Sequence, residues 1–139
     1  MRYKFLDDLT SDVMFEAYGE TLKEVLENAA LAMFSVVCDI KRVRPLRSMR
    51  VEISSQDEKS LLYDWLSKLL TDSEIEGLFL SKFNIHKIER NDDLHLYATV
   101  SGEGVSPEKG ETVVKGVTYY GLKLEKTRSG YKAQVALDI

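Results

Sequence analysis

The chain has 139 residues, 44% apolar and 30% charged, with 23 Asp+Glu against 19 Lys+Arg, two histidines and one cysteine. That length suits a single domain, 1–139, with its own core, while one cysteine excludes an internal disulfide framework or a thiolate zinc cluster. A net charge of −4 argues against autonomous nucleic-acid binding, which needs a clustered cationic surface.

No apolar run approaches the ~18 residues of a membrane span. The start, MRYKFLDD, lacks the apolar core of a signal peptide. A reducing, cytoplasmic compartment is the expectation.

Along the chain, Arg2 to Leu6 and Val13 to Ala17 read as strands around a short acidic loop. Thr21 followed by Glu24 reads as a capping box. It opens a helix over about 21–38, in which Leu22, Val25, Leu26, Ala29, Met33, Val36 and Val37 recur at helical spacing. Arg50 to Ser54 is a third strand. A second helix is expected to start near Ser55, with Glu58 three residues on, and Leu61, Leu62, Trp65, Leu66, Leu69 and Leu70 form its apolar face. Gly77 closes that region. Leu78 to Ile88 reads as a strand with imperfect alternation, and Asn91-Asp92-Asp93 as a turn. Leu94, Leu96, Ala98 and Val100 alternate with His95, Tyr97 and Thr99, the pattern of a half-buried antiparallel strand. Gly102 to Gly110 reads as a loop, Val113 to Lys126 and Tyr131 to Leu137 as the last strands. The sum is an α+β fold, a two-layer domain with two amphipathic helices packed on a mostly antiparallel sheet.

The chain carries no P-loop, dinucleotide fingerprint or nucleophile elbow. Cys38 reads as a small buried hydrophobe, His86 and His95 as surface or satisfied histidines, and Trp65 as core. Lys41, Arg42, Arg44, Arg47 and Arg50 form a basic connector, or alternatively a docking patch for an acidic partner or RNA. The acidic segment Asp7-Asp8-Leu9-Thr10-Ser11-Asp12 and the last residues, Asp138 and Ile139, offer the oxygen donors that hard divalent cations take. If the first and last strands are neighbours, Asp12, Asp138 and the terminal carboxylate converge. The alternative is turn and cap chemistry with a frayed terminus. Lys115 is expected on one strand face with Val113 and Val117, where it either snorkels or reaches a carboxylate.

Several segments together resemble the archease family along nearly the whole chain. They are the acidic loop ending in Ser11-Asp12 before VMFEAYG, the helix segment LENAALAMF, then LLYDWLSKLL, VKGVTYYGLKLE and the terminal Leu137-Asp138-Ile139. The resemblance implies a non-enzymatic accessory protein of the RtcB-type RNA-splicing ligase, a GTP- and metal-dependent enzyme of tRNA splicing and RNA repair. It would promote ligase guanylylation and multiple turnover, meeting RNA only through the ligase and no membrane. It also implies a divalent-cation site, calcium foremost with magnesium or manganese as alternatives, held by Asp12, Asp138 and Ile139. Lys115 and Asp8 are the expected partner-facing polar residues. The family's loop usually reads His-Thr-Ala-Asp and its strand VTYH, whereas this chain has Leu9 and Tyr120 at the histidine positions. The resemblance therefore carries no imidazole role to those positions. A general protein-binding or chaperone-like module, with a purely structural acidic cluster, is the competing reading. An independent metal-dependent hydrolase is a third.

Overall fold

The computed structural model describes residues 1–6 and 12–139. Strands β1 (Tyr3–Leu6) and β2 (Val13–Gly19) precede helix α1 (Leu22–Val37) and a 3-10 turn (Ile40–Arg42). Strand β3 (Arg47–Ser55), helix α2 (Glu58–Glu76) and strands β4 (Leu78–Arg90), β5 (Leu94–Gly104), β6 (Gly116–Thr127) and β7 (Gly130–Asp138) complete the chain.

Helix α1 starts as its sequence predicts. Thr21 Oγ1 accepts the Glu24 N–H at 3.1 Å, which satisfies one orphan amide of the first turn. Glu24 Oε1 reaches back one residue past the cap, accepting the Glu20 N–H at 3.3 Å rather than that of Thr21. Val25, Leu26, Ala29 and Met33 are fully buried along its inner face. At its other end, the N–H groups of Glu111 and Thr112 donate to the carbonyls of Val37 and Val36.

Helix α2 starts later than expected. Ser55 ends β3, paired opposite Leu94, and its hydroxyl donates to Asp64 at 2.6 Å. Asp57 is the cap, its carboxylate accepting the Ser60 N–H at 2.8 Å. A carboxylate there also complements the positive end of the helix dipole. Gly77, at φ +66°, ends the helix in the left-handed conformation that glycine takes without strain.

The strands form two antiparallel sheets rather than one: β1-β2-β7-β6 and β3-β5-β4. Each helix packs on a strand of both, α1 on β2 and β4, α2 on β6 and β3. Trp65, Phe15, Phe34 and Leu96 are fully buried in the core between them. The Trp65 indole donates to the Leu26 carbonyl at 2.9 Å, tying α2 to α1. Bulges between Leu80 and Lys82 and between Ile85 and Lys87 account for the imperfect alternation of β4, because each extra residue shifts the side chains by one face.

Two boundaries are corrected. β5 runs through Gly102 to Gly104, and a Cβ on Gly102 would lie 1.7 Å from the Phe79 carbonyl oxygen, so the expected loop starts later. Strand β6 starts at Gly116, not Val113, because residues 111–112 hydrogen-bond to the end of α1 instead of to β7.

Candidate functional site

The site is built at one end of the four-stranded sheet. Strand β7 lies between β2 and β6. On one side Val13 pairs with Leu137, the last pair of that ladder, and Asp12 and Asp138 are the residues just beyond it on the two segments. On the other side Gly116 pairs with Asp138, and the Lys115 N–H donates to the Asp138 carbonyl at 2.7 Å. One sheet end therefore gathers Asp12, just before β2, Lys115, just before β6, Asp138 at the end of β7, and Ile139 after it.

Leu137 is fully buried, while Asp138, the last residue of β7, is exposed. Lys115 is also exposed, whereas Val117 is buried and Val113 exposed. The expected apolar face shared by Val113, Lys115 and Val117 is thus corrected. Lys115 precedes β6, where the strand's alternation does not yet hold. Asp8 lies outside the described residues, as do Asp7, Leu9, Thr10 and Ser11.

Directly opposed residues on neighbouring strands share a face, and like charges there destabilise the pair. A cation or an ammonium group offsets such repulsion. The donors at this corner are all oxygens, the chemistry of calcium, magnesium or manganese rather than of softer metals. Among the described residues, no three His, Cys, Asp or Glu side chains come close enough to hold a metal. The described donor set is two carboxylates and the Ile139 oxygens.

Several other groups that could carry chemistry are occupied elsewhere. Cys38 is 1% exposed, its thiol donates to the Phe34 carbonyl, and burial, with Asp39 and Glu111 nearby, pushes its pKa up to about 12. It is an inert thiol. His86 and His95 are bonded to Thr99 and Ser54. In the basic run, Arg42 pairs with Asp39, Arg44 with Glu103 and Arg47 with Glu76, as a connector would, while among the described residues no ion pair holds Lys41 or Arg50.

Sequence reasoning passed over two carboxylates. Glu16 accepts the Tyr18 hydroxyl at 2.7 Å and pairs with Lys132 and Lys4. The Tyr18 bond, helped by Lys132 and Lys4, holds it below the ordinary range. Tyr18 in turn is raised to about 12, by burial and by that bond. Glu103 is buried on β5 and pairs with Lys109 and Arg44. The sequence alone places it in the loop expected from Gly102, and only the extension of β5 to Gly104 shows it as a buried carboxylate that needs partners.

Comparison with known proteins agrees with this architecture. The family model described as the archease protein family (MTH1598/TM1083) matches residues 3–139. A protein archease of Methanosarcina acetivorans is 46% identical over 99% of this chain and 96% of its own length. One from Methanothermobacter thermautotrophicus is 43% identical over 95% of each. The solution structure of Methanobacterium thermoautotrophicum protein 1598 superposes with a TM-score of 0.88 at 42% identity, covering 99% of this chain and 98% of that one. The Thermotoga maritima crystal structure, named as an archease and possible chaperone, gives 0.62 at 18% identity, covering 96% and 95%, and shows a shared fold. With a family match over nearly its full length and relatives above 40% identity, the chain belongs to the archease family.

Proposed function

We propose that this protein is the accessory factor of a GTP-dependent, RtcB-type RNA-splicing ligase, promoting its guanylylation and multiple turnover in tRNA splicing and RNA repair. The observation that supports this reading is the meeting of Asp12, Lys115 and Asp138 at one sheet end in a chain of the archease family. Asp12, Asp138 and Ile139 would hold the divalent cation, with calcium preferred. The cation supplies charge neutralisation where carboxylates approach nucleotide phosphates.

The chain's own residues do the rest. Asp12 and Asp138 present negative charge at a corner that a cationic RNA ligase can recognise. Lys115, exposed and tied to Asp138 through its backbone N–H, offers an ammonium to phosphate or to a partner carboxylate. Asp8 is proposed to extend the partner-facing surface. The protein acts as a protein cofactor rather than as a catalyst, and it meets RNA only through the ligase. Among the described residues, no helix is long and apolar enough to cross a membrane.

A ligase guanylylation assay tests this reading. The parent is expected to stimulate guanylylation, and Asp12→Ala, Lys115→Ala and Asp138→Ala each to stimulate about tenfold less or weaker still, a loss typical of removing a group that organises a metal site. Calorimetric calcium titration of the Asp12→Asn and Asp138→Asn proteins should show weakened binding. Unchanged stimulation by all three alanine variants overturns the site, and no stimulation by the parent overturns the function. Recovery of several unrelated clients without a ligase in a pull-down would replace it with the chaperone-like module.

A further inference from the structure

A groove of about 370 Å³ opens where the end of α2 meets the start of β4 and the connection between β5 and β6. Its apolar lining includes Val37, Leu70, Leu78, Phe79, Val105 and Val113. The size lies at the low end of the ~300–1,000 Å³ range of ligand clefts, enough for one bulky side chain and its flanking backbone. Its apolar surface does not stop at the hollow. Val105 and Val113 are 57% and 78% exposed at the rim, apolar surface that a side chain seated in the hollow would cover.

The charges at the rim have one sign. Glu74 on α2 and Glu111 on the β5–β6 connection are the charged residues of the lining. Both are exposed, and neither is in an ion pair among the described residues. Carboxylates at the edge of an apolar hollow favour a cationic partner and reject an anionic one.

We propose that this groove docks a basic amphipathic segment of a partner protein, with a bulky apolar side chain in the hollow and Lys or Arg beside it facing Glu74 and Glu111. The groove shares no residue with Asp12, Lys115 or Asp138, so it does not depend on the cation site or on the identity of the ligase.

The test uses the full chain, isotope-labelled for NMR, and three short peptides. One carries Leu and Phe flanked by Lys and Arg, one the same apolar pair flanked by Glu, and one the basic flanks around Ser. The first is expected to bind at least about tenfold tighter than the others, with amide shifts at Leu78, Val105, Gly110 and Val113. A Glu74→Lys/Glu111→Lys protein should reverse the charge preference, and Val113→Arg should weaken binding. Asp12→Asn should leave peptide binding intact, which separates this proposal from the ligase reading. Thermal melts verify folding, and Glu74→Gln/Glu111→Gln, expected to lose the charge preference, replaces the reversal if that variant does not fold. Equal affinity for both charge types, shifts confined to other surfaces, no binding, or a concentration-dependent dimer that covers the groove would overturn the proposal.

Discussion

Glu103 shows how a carboxylate can sit inside a strand. Lys109, helped by Arg44, holds it below the ordinary glutamate range despite burial, which acts the other way. A group whose folded pKa is lowered contributes stability that is present above its unfolded pKa and lost as pH falls through the folded one. Glu103→Gln is therefore expected to melt at a lower temperature than the parent near neutral pH. The gap should close as pH falls through the carboxylate range. Melting curves from about pH 7 to about pH 3 check this, and a gap constant with pH would refute it. At the same scale, the reading of Cys38 as a buried hydrophobe holds, since an apolar helix with no acid or imidazole partner in sequence leaves a thiol little else to do. Lys115 was misread because alternation was applied to residues that lie outside any strand.

Among the elements, the caps carry local stability. Thr21→Ala removes the acceptor for the Glu24 amide and is expected to cost about 1 kcal/mol, measured by urea denaturation. Asp57→Ala should cost a similar amount, because Asp57 and not Ser55 starts α2. Ser55 and Glu58 fit the spacing of a capping box, yet pairing with Leu94 commits the Ser55 backbone to β3. A serine that fits two roles does not reveal in sequence which one tertiary pairing will take. The bulges of β4 were visible only as broken alternation. Helix α1 was legible almost to the residue because its cap, its apolar period and its alanines agree.

For the whole molecule, alternation shows which face of a strand is buried but not which strand lies beside it. The α+β class was legible for that reason, and the division into two sheets was not. The same holds for the candidate site. Its oxygen chemistry was visible in Asp12 and Asp138, whereas their juxtaposition depends on β7 lying between β2 and β6. The sheet β3-β5-β4 is closed within residues 47–104, while β2 must find β7 across most of the chain. Distant pairing costs more loop-closure entropy and slows folding. Pulsed hydrogen exchange during refolding should thus show amides of β3, β4 and β5 protected before those of β2 and β7. The opposite order would contradict this folding sequence.

That order has a consequence during protein synthesis. If the middle sheet does form first, a ribosome-bound chain lacking β7 has its centre in place before any carboxylate of β7 can reach the Asp12 end of the sheet. On the ligase reading, the corner that a partner recognises comes into being with the last strand to dock. Unfinished or truncated chains would then be ignored by the ligase, however well folded their centres are, and the pairing of β2 with β7 would serve as a quality check on completion.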